Sequence, residues 1–263
     1  MAEIVRITSR QNPLIVGAAA LKEKKYRDEQ KTFLLEGRKL FEEAVQSKVG
    51  IVNVFATEEN VPFCAGLVPE EKIVCVPDAV LEKISTEKAP QGIICSAKYI
   101  DKLHFLDKIE YKGRFFFLSS VRDPGNLGTV LRSAAAFGAD HVLVSADCAD
   151  LYNPRTVRAS MGALFRQQIT VCSDPEDTVR ALRAHGYEVY AAMLAPSASL
   201  LTDLTVTEKT VFVVGNEGHG ISESLASACT GRVLIPMAQG SVESLNAAVA
   251  SSVLLWHTFA SLQ

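Results

Sequence analysis

Three times in the second half of this chain an apolar run breaks directly into a polar, glycine-containing segment. Phe115-Phe116-Phe117-Leu118 leads into Ser119-Ser120-Val121-Arg122-Asp123-Pro124-Gly125-Asn126. Thr210-Val211-Phe212-Val213-Val214 leads into Gly215-Asn216-Glu217-Gly218-His219-Gly220, and Val233-Leu234-Ile235 into Pro236-Met237-Ala238-Gln239-Gly240. Short apolar runs with helical patterns between them read as strands of a parallel sheet covered on both faces. His141–Val144 and Tyr187–Met193 add two strands. Helices are expected over Asn126–Phe137, Arg155–Phe165, Glu176–Ala184 and Ser244–Phe259. In an open α/β sheet ligands bind beyond the carboxyl ends of strands, so these three breaks are where a site should be sought.

The first hundred residues read as a separate, small α/β domain. Strands are expected at Phe33–Gly37, Ile51–Ala56, Lys72–Val76 and Ile93–Cys95. Leu40, Phe41, Ala44 and Val45 share one face of a helix, and Asp78 is placed to cap another that runs to Ile84. Lys98–Lys112 is charged and aperiodic and reads as a linker, which divides the chain into residues 1–105 and 106–263.

Composition limits the classes of function. With 48% hydrophobic and 22% charged residues, the 263-residue chain fits an ordinary soluble protein whose core needs no staples. Its six cysteines form no CxxC pair and have no histidine at ligand spacing, so they read as buried apolar residues in a reducing compartment, and no metal is expected. No apolar stretch is long enough for a membrane span and the start does not resemble a signal peptide, so the expected location is the cytoplasm. The net charge of −3 gives no global field for nucleic acid; any such affinity must come from local patches. One candidate patch lies near the N-terminus, where Arg10, Lys24, Lys25 and Arg27 are interspersed with acidic residues. It reads either as a solvated mixed-charge helix face or as a phosphate-contacting surface.

Taken singly, the three breaks have plain structural readings. Asp-Pro-Gly-Asn is turn chemistry, with Asn126 near a helix start and Arg132 about two turns on. The second break is neither a dinucleotide fingerprint, since Glu217 stands where a glycine is required, nor a Walker A loop. Ordinary Rossmann cofactors and nucleoside triphosphates are thereby disfavoured, and His219 reads as a loop histidine. In the third, Ser244 or Ser241 is expected to cap the last helix, with Asn246 in its first turn, where exposed N–H groups can hold a ligand.

In their order and spacing these segments resemble the SpoU (TrmH) family of RNA ribose 2′-O-methyltransferases. Asp123-Pro124-Gly125-Asn126-Leu127-Gly128 through Arg132 is similar to its first motif, Val214 through Gly220 to its second, and Ile235-Pro236-Met237 with Gly240 and Ser244-Leu245-Asn246 to its third. Where family members often carry Val-Ser or similar after the third motif's asparagine, this chain has Ala247-Ala248, both small, and little consequence is expected. Asn153-Pro154-Arg155 with Arg158 through Ala163 resembles a segment of rRNA-directed members, and the first domain resembles the family's RNA substrate-binding domain.

The resemblance implies a parallel α/β sheet with a C-terminal trefoil knot, preceded by a small α/β RNA-binding domain. It implies S-adenosylmethionine held by Gly215, Asn216, Gly218, Ile235, Met237, Gly240, Ser244 and Leu245. Asn126, Arg132, Glu217, Ser244 and Asn246 become the expected catalytic residues, and Arg10, Lys24, Lys25, Arg27, Arg155 and Arg158 the expected RNA contacts. The family assigns activation of the hydroxyl to the arginine matching Arg132. An arginine stays protonated in proteins, so polarising the hydroxyl or holding a phosphate is physically easier than taking a proton. Glu217 and Ser244 are expected to orient Arg132 or a cofactor group. A homodimer is implied, as is rRNA in preference to tRNA. A tRNA methyltransferase, a non-catalytic RNA-binding or ribosome-assembly protein and a conventional nucleotide enzyme are the competing readings.

Overall fold

The computed structural model describes residues 4–100, the backbone of 103–104, and residues 110–238 and 244–263. The chain forms two units, Met1–Ile100 with Asp150–Arg166, and Asp101–Ala149 with Gln167–Gln263.

The first unit contains β1 (Val5–Arg6), α1 (Pro13–Ala20), α2 (Lys24–Gln30), β2 (Thr32–Glu36), α3 (Arg38–Gln46), β3 (Ile51–Ala56), α4 (Val61–Ala65), β4 (Ile73–Cys75), α5 (Asp78–Ile84) and β5 (Ile93–Lys98). Its sheet has the order β1-β4-β3-β5-β2, with β1, β4 and β3 parallel and β5 antiparallel to both of its neighbours. Ile15, Ala18 and Leu21 from the α1 region and Val80, Leu81 and Ile84 of α5 bury one face of the sheet through Leu34, Phe55, Val74 and Ile94. Asp78 is the first residue of α5 rather than its cap; Pro77 holds the cap position and makes no side-chain bond.

The second unit begins with β6 (Leu103–His104), β7 (Phe115–Leu118), α6 (Pro124–Ala136) and β8 (His141–Ser145). The chain then returns to the first unit for α7 (Pro154–Ser160) and α8 (Ala163–Arg166). A single break near residue 105 therefore does not describe the division. The reason is packing: Phe33 of β2 has its ring centroid 4.9 Å from that of Tyr152 and 6.4 Å from that of Phe165, and Tyr99 stacks on Tyr152 at 3.8 Å. Residues 150–166 thus contribute apolar cover to the first unit's sheet. The continuous helix expected over Arg155–Phe165 is broken at Met161 and Gly162, whose φ angles are +47° and +86°. A Cβ on Gly162 would stand 2.9 Å from Glu43 Cβ, so glycine permits both the turn and the contact.

The second unit continues with β9 (Gln168–Cys172), α9 (Pro175–Ala184), β10 (Glu188–Ala192), β11 (Ser199–Leu200), β12 (Thr210–Val214), α10 (Glu223–Ala228), β13 (Gly231–Leu234) and α11 (Ala247–Ser261). All pairings in its sheet are parallel, in the order β11-β13-β10-β12-β7-β8-β9-β6. Phe115, Phe117, Val211 and Val213 pack on one face with Val179 and Leu182 of α9 and Leu225 of α10. On the helices α6 and α11, Leu127, Val130, Leu131, Leu254 and Leu255 are buried, and Ser133 and Ser252 join the two helices through a 2.7 Å hydroxyl contact. The knot implied by the resemblance would involve the path from β13 to α11, of which residues 239–243 lie outside the described residues. Among the described residues no helix is long and apolar enough to cross a membrane.

Strands β7 and β12 lie side by side, with Leu118 opposite Val214. From β7 the chain goes through α6 to β8 on one side; from β12 it goes through α10 to β13 on the other. A crevice opens where connections diverge in this way, and it opens at the ends carrying the first and second motifs.

Candidate functional site

The loop after β12 is held in shape before any ligand is considered. Asn216 and Gly220 exchange two backbone hydrogen bonds of 2.9 Å. The Asn216 carboxamide oxygen accepts from the N–H groups of Gly218 and His219, and its Nδ2 donates to the Ser120 carbonyl at 2.9 Å. Gly215 is buried, and a Cβ there would stand 2.4 Å from the Gly220 carbonyl oxygen. Only glycine fits where two backbones approach so closely. Asn216, expected to meet a cofactor, uses its side chain to brace the loop; what it can offer a ligand is backbone.

The first and third motifs meet this loop through side chains. Asp123 caps α6 by accepting from Asn126 N. Asn246 caps α11, its Oδ1 accepting from Ala248 N at 2.9 Å and Val249 N at 3.3 Å. The expected cap residues therefore differ from the observed one: Ser241 lies outside the described residues, and Ser244 precedes the helix and is exposed. With its oxygen engaged in capping, Asn246 can only donate from Nδ2, and it does so to Asn126 Oδ1 at 3.1 Å. Asn126 in turn must present its own Nδ2 outward, and that atom donates to Glu217 Oε1 at 3.0 Å. Glu217 Oε2 accepts from Arg122 N at 3.4 Å. Three separate stretches of sequence are thus tied by one polar chain, Asn246–Asn126–Glu217.

Glu217 is held ionised. Partial burial favours the neutral acid, but hydrogen bonds from Asn126 and from the backbone of Glu217, Arg122 and Asp123 outweigh it and keep the carboxyl below its ordinary range. Glu217 does not pair with Arg132, the first of the two partners expected for it. Arg132 is exposed on α6, and its guanidinium makes no hydrogen bond or ion pair among the described residues. The structure joins Asn126, Glu217 and Asn246 through hydrogen bonds and shows none from Arg132 to any of them among the described residues.

Beside this polar chain lies a cavity of about 360 Å³. Its floor and walls include Gly215 to Gly220 after β12, Ile235 and Met237 after β13, and Ser244 and Leu245 ahead of α11. Of the expected cofactor residues only Gly240 is missing from this account; it lies outside the described residues. Sequence reading missed the contribution of Met193 and Leu194 after β10, although the end of a strand is where the rule on parallel sheets would have looked. The cavity's mixture of apolar side chains and backbone polar edges suits a flat heterocycle joined to a flexible, partly apolar tail, and its volume lies in the range of about 300–1,000 Å³ common for small-molecule sites.

The expected RNA contacts divide. Arg10, Lys24 and Lys25 are exposed, Lys24 in an ion pair with Asp28. Arg27 is not available: it is 2% exposed, donates to the carbonyls of Leu21 and Lys22, and pairs with Asp150 at 2.6 Å. Its burial removes it from the list of surface cations. Arg155 is exposed at the start of α7, and Arg158 is ion-paired with Glu87.

Residues 113–256 match the SpoU rRNA Methylase family and residues 12–95 the MRM3-like substrate binding domain. The 23S rRNA (guanosine(2553)-2'-O)-methyltransferase RlmP of Bacillus subtilis is 29% identical over 252 residues, which cover 96% of this chain and 98% of its own. The 23S rRNA (uridine(2479)-2'-O)-methyltransferase of Streptomyces viridochromogenes is 34% identical over 192 residues, 71% of this chain and 66% of its own. Among solved structures, an AdoMet-bound rRNA methyltransferase from Sinorhizobium meliloti matches with a TM-score of 0.86 at 31% identity, over 98% of both chains.

Proposed function

The chain belongs to the SpoU rRNA methylase family, and from that premise we propose that it transfers the methyl group of S-adenosylmethionine to a ribose 2′-hydroxyl of ribosomal RNA. The observation that carries this reading is the Asn246–Asn126–Glu217 chain, which ties three sequence motifs together and ends on Glu217 in the cavity wall.

The residues present fit the cofactor. Ile235, Met237 and Leu245 offer apolar cover for the adenine faces, and the braced backbone of Gly215 to Gly220 offers N–H and C=O groups to its edge. When bound, S-adenosylmethionine supplies a methyl group on a sulfonium whose leaving group is a neutral thioether. Glu217 places a negative charge on the cavity wall, which favours a cationic occupant over the neutral demethylated product. Its depressed pKa makes it a poor proton acceptor, so its work is electrostatic and positional. Asn126 and Asn246 are positioning residues, each engaged at both ends of its carboxamide.

Arg132 remains the group that polarises the 2′-hydroxyl, and a second copy of the chain is what brings it to a cavity. Two features support this dimer. Val249 and Trp256 on α11 are 50% and 55% exposed, and they line an apolar groove of about 450 Å³ together with Phe137 and Thr129. Arg132 lies about one helical turn beyond Thr129, a residue of that groove, on α6. For the RNA, the similarity to a 23S rRNA enzyme extends over both units, and Arg10, Lys24, Lys25 and Arg155 are exposed cations on the unit that matches a substrate-binding domain.

Incubating the protein with methyl-labelled S-adenosylmethionine and transcribed 16S and 23S rRNA tests the reading. Label in precipitated RNA supports it. Tight cofactor binding with no label in RNA contradicts it.

A further inference from the structure

Asp147, in the loop after β8, is held by two hydroxyls. Ser145 Oγ donates to its Oδ1 and Ser120 Oγ to its Oδ2, each at 2.6 Å, and Ser145 Oγ accepts from Ser120 N at 2.8 Å. Ser120 takes a φ of +58°, uncommon for a residue with a Cβ, and its carbonyl accepts the 2.9 Å bond from Asn216 that braces the cofactor loop. A bracket this fully bonded is a built feature, and the Asn246–Asn126–Glu217 chain accounts for none of it.

What the bracket faces is Arg122. Its Nη2 lies 3.6 Å from Asp147 Oδ2, and its side chain is 70% exposed. At that distance the two groups attract as charges without a hydrogen bond, so the donors of the guanidinium remain unused among the described residues. Arg122 is also anchored at its backbone, where N–H reaches Glu217. Its backbone is thus tied to Glu217 on the cavity wall, while its guanidinium lies beside Asp147.

Asp147 and Glu217 both place carboxylates beside Arg122, at its side chain and at its backbone. A polyanion entering such a mouth needs a local cation, because the chain's net charge of −3 supplies no attracting field. A planar guanidinium with unused donors matches a phosphodiester in geometry and charge. On the reading of the protein as an RNA ribose methyltransferase, we propose that Arg122 binds a backbone phosphate beside the target ribose, and that Asp147, fixed by Ser120 and Ser145, is the positioning residue that aims it.

The experiment compares the unchanged chain with Arg122→Ala, Arg122→Lys and Asp147→Asn, each in the whole two-unit chain. It measures S-adenosylmethionine affinity by calorimetry, binding to transcribed rRNA across a salt series, and methyl transfer to the same transcripts. For Arg122→Ala the expected result is a KM for RNA raised roughly tenfold, as for loss of one charge-assisted contact, with cofactor affinity unchanged. The slope of log affinity against log salt becomes shallower by roughly 0.7 to 0.9, the signature of one lost phosphate contact. Arg122→Lys restores the slope while KM stays raised, since the charge returns without the planar fork. Asp147→Asn binds RNA as tightly as wild type or more so, but with a lower kcat. Wild-type salt slope and KM in Arg122→Ala overturn the proposal, as does a loss of cofactor affinity in its place or an Arg122→Lys variant indistinguishable from alanine. Absence of methyl transfer by the wild type contradicts the reading of function itself; the salt slopes then still decide whether Arg122 meets phosphate.

Discussion

Asn246 Nδ2 donates to Asn126 Oδ1 across 3.1 Å, and this bond joins the residue that caps α11 to the first turn of α6. Because the cap fixes the Asn246 amide, it also fixes which way Asn126 points and hence what Glu217 receives. A helix end and the placement of Glu217 on the cavity wall are tied to the same side chain.

Substituting Asn246 two ways separates those duties. Asn246→Ala loses the cap and the tie, and a drop of about 1 kcal/mol in stability is expected from the cap alone. Asn246→Asp keeps a good cap but cannot donate to Asn126. It is expected to melt within a degree or two of wild type while binding S-adenosylmethionine more weakly and losing at least roughly tenfold in kcat/KM. Thermal unfolding alongside calorimetry checks both variants.

Gly215→Ala places a methyl group 2.4 Å from the Gly220 carbonyl oxygen, and backbone cannot move aside as a flexible side chain would. A loss of roughly 1–3 kcal/mol and of measurable cofactor binding is expected. The same change at Gly218, where the nearest atom would be 3.5 Å away, leaves folding intact and serves as the control.

The pH dependence of cofactor binding follows from Glu217. Its carboxyl lies below the ordinary 4.5 when folded, so the contribution of its ionised form is complete above that value and is lost as pH falls through the lower folded value. Affinity for S-adenosylmethionine should be level from about pH 8 down to the ordinary carboxylate value of 4.5 and weaken only below it. In Glu217→Gln that acid limb should vanish. An inflection near neutrality would mean that another group controls the cavity.

Arg27 and Asp150 form a buried pair, 2% and 15% exposed. Arg27→Ala leaves the carboxylate without its partner and should destabilise the first unit by about 3–5 kcal/mol. RNA binding by the folded fraction should keep its wild-type salt slope, because Arg27 is not a surface cation. A shallower slope would restore it to the RNA-contacting set.

Trp256→Glu puts a charge on the exposed apolar face of α11 and should convert a dimer to a monomer by light scattering. If Arg132 acts across that interface, kcat should fall by roughly a hundredfold or more, as for loss of alignment, with cofactor affinity little changed. A monomeric wild type would remove this explanation of why Arg132 makes no bond to Glu217.

Much of the second unit could be read from the chain because its strands are short, apolar and bounded by turn residues: Phe115–Leu118 and Thr210–Val214 begin and end where the pattern does. Gly215, Asn126, Glu217 and Asn246 were legible as a set through motif order. Local pattern does not record which surface an apolar segment covers, and so residues 150–166 read as part of the wrong unit. It also hides burial that depends on a distant counter-ion, as at Arg27, whose partner Asp150 lies 123 positions away. The break at Met161-Gly162 was masked by helix-favouring neighbours, and the Ser120–Asp147 bracket has no motif to announce it. Its place at the carboxyl ends of β7 and β8 was its one sequence signal.

The claim that joins these observations is that the acceptor is a ribose hydroxyl. Transcribed rRNA methylated by the protein with labelled S-adenosylmethionine should be hydrolysed in alkali and the fragments separated by charge. A 2′-O-methyl group blocks attack on the adjoining phosphodiester, so the account predicts label in an alkali-stable dinucleotide. Label in mononucleotides would place the methyl on a base and contradict it.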